Sequence, residues 1–354
     1  MPTTLKDFLA LTKQKGASDL HISASAPVMI RLHGSLVPIT NEAITEQDSK
    51  KILYEVMNED HQKHFEQYND LDFGLELPEL GRFRANILRQ RKGMDAVFRT
   101  IPTTIPNVEE LGLPLSVKKL TELNRGLVLV TGPTGSGKST TLAAMINLIN
   151  ETRKEHIITI EDPIEFVHPN KNCLVNQREV GIHTKSFASA LRAALREDPD
   201  VILVGEMRDL ETISMAITSA ETGHLVFGTL HTNSAAKTVD RIIDVFPTNQ
   251  QAQIKVMLSE SLKGVIAQQL LKKKDGSGRV AAHDILIGTS ALANLIREGK
   301  TFQIPSIMQI GKNVGMQKMD DSLLELTKKG IIDGKEAFNK AVEKKLFEQY
   351  LKNA

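Results

Sequence analysis

The chain has 354 residues, more than the ~250–300 at which a single hydrophobic core usually divides, so we expect two domains. Lys and Arg total 44 against 43 Asp and Glu, aromatic residues make up 4%, and tryptophan is absent. This composition argues against proteins that bind nucleic acids without sequence preference, because such proteins need excess positive charge and aromatic stacking platforms.

The compartment follows from what the sequence lacks. No apolar run approaches the ~18 residues of a membrane-spanning helix, and residues 1–16 lack the apolar centre of a secretory signal. One cysteine, Cys173, excludes an intramolecular disulfide and a zinc site built from several thiolates. We therefore expect a cytoplasmic protein without a membrane span.

The first hundred residues show the short elements of a small α/β domain. The prolines from Pro102 to Pro114 then interrupt the pattern. We predict a domain over residues 1–101 and a linker over residues 102–115. The predicted elements are helices over residues 5–15 and 46–67 (one or two) and strands over 19–23, 28–39, 81–90 and 94–101, with a turn at His33-Gly34-Ser35.

Residues 132–139 read Gly-Pro-Thr-Gly-Ser-Gly-Lys-Ser and fit the phosphate-binding pattern G-x-x-x-x-G-K-[ST]. An apolar run at 127–130 predicts a strand before this loop, and apolar residues spaced by three and four predict a helix after it. We expect Lys138 to neutralise the β- and γ-phosphates of ATP and Ser139 to hold Mg²⁺. The residues expected around the phosphates are Gly132, Pro133, Thr134, Gly135, Ser136, Gly137, Lys138, Ser139 and Thr140.

Short apolar strands then alternate with helices, which predicts a parallel sheet covered on both faces. Polar residues follow the strands where they end, and ligands of such sheets bind beyond the carboxyl ends of the strands. Glu161, Asp162 and Glu165 follow the first strand, Glu206 the second and His231 the third. The predicted strands cover residues 157–160, 201–204 and 225–229, and the predicted helices cover residues 187–196 and 210–222.

These strand ends supply candidates for nucleotide hydrolysis. The segment ending in Gly205-Glu206 resembles a Walker B strand, with glycine where a Mg²⁺-linked Asp usually stands. Glu206 can orient or deprotonate the attacking water. The candidates to replace the missing Asp are Glu161, Asp162 and Glu165. His224 and His231 bracket the third strand, and a neutral imidazole there can hydrogen-bond the γ-phosphate; the alternative is that each histidine satisfies local backbone groups.

The region over residues 265–354 is predicted to be mostly helical. Residues 272–278 read Lys-Lys-Lys-Asp-Gly-Ser-Gly, which is typical of a solvated basic turn. The predicted helices cover residues 290–297, 322–329 and 335–351.

Four segments together resemble the secretion ATPase superfamily: GPTGSGKS (132–139), IEDPIEFVH (160–168), DPDVILVGEMRD (198–209) and ETGHLVFGTLHTNSA (221–235). In that family they are the Walker A motif, the Asp box, the atypical Walker B motif and the His box, and Gly205-Glu206 is the family's own pattern. SDLHI (18–22), GRFRANI (81–87) and VNQREVG (175–181) extend the resemblance over almost the whole chain. It implies a PAS-like α/β N-terminal domain and a RecA-like P-loop ATPase core over residues 116–264, followed by the helical C-terminal region.

Within the superfamily the chain is most similar to the motors that retract and disassemble type IV pili in twitching motility. We expect it to start directly at the PAS-like domain, and its one cysteine excludes the four-cysteine zinc module of many extension and secretion motors. Retraction motors share an Ala-Ile-Arg-Asn-Leu-Ile-Arg-Glu motif, and residues 291–298 read Ala-Leu-Ala-Asn-Leu-Ile-Arg-Glu. Residues 294–298 match the motif, but Ala293 replaces its first arginine. An accessory retraction motor, an extension or secretion ATPase, a RecA-like nucleic-acid translocase and a non-hydrolysing subunit remain alternatives.

The resemblance also implies partners and further site residues. It implies a homo-hexamer at the cytoplasmic face of the bacterial inner membrane, which acts on a membrane-embedded pilus platform protein and works beside a paralogous retraction ATPase. ATP lies between the two domains in this family, and arginines of the N-terminal domain approach its phosphates. Arg82, Arg84 and Arg99 are the candidates, with surface ion pairs as the alternative reading, and the linker is the expected hinge region.

Overall fold

The structure is a computed structural model that describes residues 4–32, 34–101 and 104–351. The chain divides into two compact units, Met1–Thr104 and Ile105–Ala354. Each unit has its own sheet and its own hydrophobic core. His33 of the predicted turn and residues 102 and 103 of the predicted linker lie outside the described residues.

The N-terminal unit is an antiparallel sheet with helices, as the PAS-like prediction requires. In the described part of this unit the strand order is β3-β2-β1-β6-β5-β4. The elements are α1 (Leu5–Gln14), β1 (Asp19–Ser23), β2 (Met29–Leu32), β3 (Ser35–Pro38), α2 (Glu46–Tyr54), α3 (Glu59–Tyr68), β4 (Asp70–Leu77), β5 (Gly81–Gln90) and β6 (Gly93–Thr100). Our sequence analysis missed β4, because Asp70, Asp72 and Gly74 are residue types that strands disfavour.

Strand β5 shows the alternation that strands impose on their side chains. Phe83, Ala85 and Ile87 point into the core of the N-terminal unit, where all three are buried. Arg82 and Arg84 therefore share the opposite face, because successive side chains of a strand point to opposite sides. Their predicted placement on one face of a strand is confirmed.

The second unit carries a sheet of order β13-β12-β7-β11-β10-β8-β9. The strands from β12 to β9 are parallel, and β13 is antiparallel to β12. The strands are β7 (Gly126–Thr131), β8 (His156–Glu161), β9 (Leu174–Glu179), β10 (Val201–Val204), β11 (Leu225–Leu230), β12 (Leu262–Lys272) and β13 (Arg279–Ile287).

Helices cover both faces of this sheet, which confirms the predicted RecA-like α/β core. Every residue of β7, β10 and β11 is buried, and these central strands are mainly apolar, with Thr131 and Thr229 as buried polar residues. Helices α4 and α5 pack on one face, and α6 to α11 pack on the other. The helices are α4 (Leu115–Leu120), α5 (Lys138–Thr152), α6 (Phe187–Ala194), α7 (Leu210–Glu221), α8 (Ala235–Asp244), α9 (Thr248–Ser261), α10 (Ser290–Glu298) and α11 (Ile304–Ile310). No helix in the described residues is long and apolar enough to cross a membrane.

The C-terminal region differs from the prediction at its start. The predicted boundary between residues 264 and 265 falls inside β12, and β12 and β13 form a hairpin that belongs to the main sheet. The predicted basic turn is the tip of this hairpin. The hairpin resembles a helix in sequence because both faces of its inner half are apolar, which removes the alternation that marks a half-buried strand.

The last predicted helix, over residues 335–351, is broken. The structure has α12 (Met319–Lys328), α13 (Gly334–Lys340) and α14 (Glu348–Leu351). The break follows α13, where the Asp320 carboxylate accepts the backbone N–H groups of Val342 and Glu343. A continuing helix would give those N–H groups to its own carbonyls, so the buried Asp320 replaces the helical hydrogen bonds there.

Candidate active site

The phosphate loop lies between β7 and α5, as the motif predicts, and its glycines are required by space as well as by backbone angle. A side chain at Gly132 would place its Cβ 2.4 Å from the Gln268 carbonyl oxygen, and φ at Gly132 is +145°. Gly137, with φ of +86°, is the N-cap of the 15-residue α5 and provides no side-chain cap. The first N–H groups of α5 and the positive end of its dipole are therefore left for an anion.

Lys138 lies folded into this loop. Its Nζ donates to the carbonyl oxygens of Gly132 at 3.0 Å and of Pro133 at 3.2 Å. Burial lowers the pKa of Lys138, and the negative charges of Glu206 and Glu165 act in the opposite direction. The charges of these two carboxylates thus act on the loop lysine, and the parallel strands β7, β8 and β10 have their carboxyl ends at the same edge of the sheet.

Glu206, directly after β10, is held by two side chains at a single oxygen. Its Oε1 lies 2.5 Å from Arg208 Nε and accepts a hydrogen bond of 2.7 Å from His231 Nε2. Burial by itself raises the pKa of Glu206, but the hydrogen bonds from Arg208 and His231 outweigh it and leave the pKa below its ordinary value. The second oxygen, Oε2, has no hydrogen-bond partner among the described residues, so an ionised oxygen is available to a water molecule.

The structure explains why glycine precedes Glu206 where many P-loop enzymes have aspartate. The Gly205 N–H donates to the Ile160 carbonyl oxygen at 2.7 Å. A Cβ on Gly205 would lie 3.1 Å from that oxygen and 3.2 Å from the Glu161 Cα. Because β8 and β10 approach so closely at their carboxyl ends, a carboxylate side chain at position 205 would need the strands to move apart.

The three carboxylates proposed to replace that aspartate lie at the end of β8 or shortly after it, in different surroundings. Glu161 accepts hydrogen bonds from Thr159 Oγ1 at 2.7 Å and Gln177 Nε2 at 3.0 Å, and burial raises its pKa to about 7. Asp162 lies near enough to Arg208 for its charge to stabilise the guanidinium. Glu165 is exposed. Glu161 is thus the least suited to a divalent cation at neutral pH, because part of its population is protonated there.

The residues present fit a magnesium ion that is held mainly through phosphate oxygens. Ser139 follows Lys138 in the first turn of α5, and the charge of Glu165 acts on Lys138. No group of three His, Cys, Asp or Glu side chains suited to a metal occurs in the described parts of the chain. Mg²⁺ usually keeps several waters and takes one or two carboxylates plus substrate phosphates, so a sparse protein ligand set suits it.

His224 requires a correction, because the structure does not bring it to the phosphate loop. It precedes β11, and its carbonyl oxygen accepts the N–H of Gly126 at the start of β7. Its Nδ1 lies 3.0 Å from the Ser219 carbonyl oxygen. The six residues of β11 span ~20 Å, which separates His224 from the edge where His231 and the loop lie. His224 therefore satisfies local backbone groups.

The three candidate arginines all belong to the N-terminal unit, where Arg84 and Arg99 pair with carboxylates. Arg84 pairs with Asp72, with Nη2 to Oδ2 at 2.6 Å, and Arg99 Nε donates to Asp19 Oδ1 at 2.9 Å. Arg82 lies two residues before Arg84 on β5. For Arg84 and Arg99, a part in catalysis requires that these ion pairs exchange for phosphate.

Sequence reasoning missed Gln268, a buried amide on β12 that supports the phosphate loop. Its Nε2 donates to the Ser136 carbonyl oxygen at 2.5 Å, and its Oε1 accepts from Thr141 Oγ1 at 2.8 Å. The residue is 2% exposed. One side chain thus joins the loop to the first turn of α5. A polar residue inside the apolar run of β12 was the signal that could have indicated it.

We expect Gln268→Met to weaken ATP binding about tenfold, because Thr141 and the Ser136 carbonyl lose their buried partner and the loop loses its support. Titration of the purified protein with a fluorescent ATP analogue measures this. Gln269→Met is the matched control, since Gln269 follows it on the other face of β12. Equal affinities of the two variants would contradict a supporting role for Gln268.

Comparison with known proteins places this geometry in context. Residues 3–332 match the family model described as "Type II/IV secretion system protein". The chain is 55% identical over 337 residues, which is 95% of this chain and 98% of the relative, to a Pseudomonas aeruginosa protein described as "Type IV pilus retractation ATPase PilT". It is 42% identical over 330 residues, 93% of this chain and 86% of the relative, to the "Type IV pilus ATPase PilU" of the same organism. A crystal structure described as the pilus retraction motor PilT with bound ADP superposes with a TM-score of 0.92 at 49% identity, covering 98% of this chain and 99% of that chain.

Proposed function

Because this chain belongs to the type II/IV secretion system protein family, we propose that it is a Mg²⁺-dependent ATPase that powers type IV pilus retraction. The observation that carries the proposal is Glu206 fixed by His231 and Arg208 beside Lys138, at the carboxyl ends of adjacent strands. The relative described as a pilus retractation ATPase and the solved retraction motor with bound ADP support it.

The chain's own residues account for binding and for activation of water. Backbone amides of the loop and the first turn of α5 hold the phosphates, and Lys138 exchanges its loop carbonyls for phosphate oxygens. Glu206 accepts a hydrogen bond from the attacking water at Oε2, while His231 and Arg208 fix its Oε1. Ser139 would hold a bound Mg²⁺, with Glu165 as the further protein ligand, and the ion would supply neutralising charge to the phosphates.

Retraction is favoured over the accessory role by similarity and by the C-terminal motif. The chain is 55% identical to the relative named PilT and 42% identical to the relative named PilU. On α10, the exposed Arg297 donates to Asn294 Oδ1 and to Ser259 Oγ, both at 3.3 Å. Ala293 is half-buried and leaves this Asn294–Arg297 pair in place. The departure at position 293 therefore leaves the polar contacts of Asn294 and Arg297 unchanged.

The assembly and its partners are part of the same proposal. We propose a homo-hexamer at the cytoplasmic face of the inner membrane that acts on a pilus platform protein, beside a paralogous retraction ATPase. Membrane association then comes only through partners. Arg82, Arg84 or Arg99 contributes positive charge to the phosphates during hydrolysis, as a guanidinium does in many ATPases.

Complementation tests the proposed direction of work. Expression of this chain in a bacterium that lacks its retraction ATPase should lower the number of surface pili and restore twitching, while Lys138→Ala should do neither. Unchanged piliation with an active, stably expressed ATPase would contradict retraction. More surface pili in an extension-deficient strain would instead support an extension motor.

We expect Lys138→Ala subunits to depress the activity of wild-type subunits in mixed rings. At a one-to-one ratio, ATPase activity should fall well below the half that dilution gives, because coupled subunits share each cycle. Specific activity of the wild type should also rise with protein concentration as rings form. Turnover that is proportional to wild-type content and independent of concentration would contradict a coupled ring.

A further inference from the structure

Asp284, on β13, contacts two helices, and it has no role in the proposed mechanism. It is 7% exposed and accepts two backbone hydrogen bonds, from the Ala235 N–H at 2.8 Å and from the Met319 N–H at 3.1 Å. Ala235 is the first residue of α8, and Met319 is the first residue of α12. One carboxylate therefore joins the N-termini of two helices.

Asp284 accepts N–H groups that the N-cap side chains of the two helices leave unpaired. The N-cap of α12, Lys318, makes no side-chain capping bond. The N-cap of α8, Ser234, receives the Lys237 N–H and leaves the first N–H of the helix to Asp284. Unpaired N–H groups at helix N-termini need acceptors, and a carboxylate also complements the positive ends of both helix dipoles.

Asp284 is connected to the active site through α8. Helix α8 begins four residues after His231. The hydroxyl oxygens of Thr238, on α8, and Thr232 lie 2.7 Å apart. The same Thr238 hydroxyl lies 3.4 Å from that of Thr131, the residue before the phosphate loop. The position of the first turns of α8 therefore sets the path of the segment that carries His231 to Glu206.

Asp284 is connected to the C-terminal helices through α12. The segment before α12 pairs with β13, since Gln317 and Ile285 exchange two backbone hydrogen bonds of 2.7 and 3.0 Å. Helix α12 is in turn joined to residues 342 and 343 through Asp320. Leu271, Met319, Leu323 and Phe347 belong to one small core with the hairpin. Gln268, which supports the phosphate loop, lies on the face of the hairpin opposite to Asp284. Gln268 is paired with His283, the residue next to Asp284, and successive side chains of a strand point to opposite faces.

We propose that Asp284 is a positioning residue that holds α8 so that His231 meets Glu206, and thereby makes hydrolysis depend on the placement of the C-terminal helices. The proposal rests on the proposed function in one respect, the role of His231 in turnover. A change in the C-terminal helices reaches the site through this carboxylate.

Asp284→Asn tests the proposal with little change in shape. The amide keeps one acceptor and turns an N–H toward the other helix, so α8 or α12 loses its bond. We expect kcat to fall about tenfold while the Kd for an ATP analogue changes less than about twofold, because the phosphate loop is not altered. The matched control is Asp320→Asn, since Asp320 is also buried on α12 and also accepts two backbone N–H groups. It should lower Tm but lower kcat much less than Asp284→Asn does, because Asp284 still holds the N-termini of α8 and α12.

Two further measurements separate positioning from loss of stability. Lys318→Ser gives α12 its own cap, so in the Asp284→Asn background it should restore Tm but not kcat. The Asp284→Asn change should add little to His231→Gln, because both act through the same contact. Equal kcat losses in Asp284→Asn and Asp320→Asn, recovery of kcat with Lys318→Ser, or additive effects with His231→Gln would each overturn the proposal.

Amide hydrogen exchange tests the structural part without any activity. In the resting full-length protein, Asp284→Asn should speed exchange over residues 231–238 and leave residues 138–142 unchanged. If the wild type hydrolysed no ATP, the proposed function would be wrong. The exchange measurement would still show whether Asp284 holds the segment from His231 to α8 in place. Unchanged exchange over residues 231–238 would overturn the connection even in an active enzyme.

Discussion

Replacing Lys138 by alanine is expected to weaken ATP binding by about a hundredfold or more, because the loop then lacks its charge-assisted hydrogen bonds to the β- and γ-phosphates. The Lys138 ammonium already lies among loop carbonyls, at 3.0 and 3.2 Å. Burial lowers its pKa, yet the charges of Glu206 and Glu165 favour the cation. No other residue of the loop carries a fixed positive charge.

Calorimetric titration with a slowly hydrolysed ATP analogue measures this loss directly. Lys119→Ala is the matched control, because Lys119 is an exposed lysine on α4 of the same unit. The control should bind as the wild type does. If Lys138→Ala bound the analogue with wild-type affinity while the control also bound normally, the phosphate loop would not be the ATP-binding site.

The loop and the strand ends can be predicted from sequence because their determinants are local. The glycine-rich motif, the apolar strand before it and the helix after it are neighbours along the chain. Parallel strands place their carboxyl ends at one edge, so Glu206 and His231 come together once the alternation of strands and helices is recognised. Their contact of 2.7 Å is a consequence of β10 and β11 being adjacent.

Gln268 and Asp284 could not be predicted in the same way. Each acts on residues far along the chain, since Gln268 meets Ser136 and Asp284 meets Ala235. Both contacts depend on the hairpin of β12 and β13 at the edge of the main sheet, and the apolar periodicity of that region did not distinguish strands from helices. Long-range pairing is not written in local sequence patterns, so these supporting residues appear only in the structure.

Glu206→Gln is expected to bind Mg·ATP almost normally and to lose about 10²–10⁴ in turnover, because an amide cannot accept the proton of the attacking water. Glutamine has the same size as glutamate. Its amide oxygen can keep the hydrogen bond from His231 and the contact with Arg208, which lie at 2.7 and 2.5 Å from Oε1. The NH₂ group then replaces Oε2 and presents donors where water needs an acceptor. The variant should therefore separate binding from chemistry.

The role of Glu206 is decided by comparing Glu206→Gln with Glu165→Gln, because the charges of both carboxylates raise the pKa of Lys138. Single-turnover hydrolysis and analogue binding should be measured for both variants. If Glu165 is a magnesium ligand, Glu165→Gln should raise the Mg²⁺ concentration needed for half-maximal activity, and added Mg²⁺ should restore part of the rate. Glu206→Gln should not respond to added Mg²⁺, because its loss lies in activation of water. A larger, Mg²⁺-independent loss in Glu165→Gln would move the base to the segment after β8 and leave Glu206 as a residue that positions His231 and Arg208.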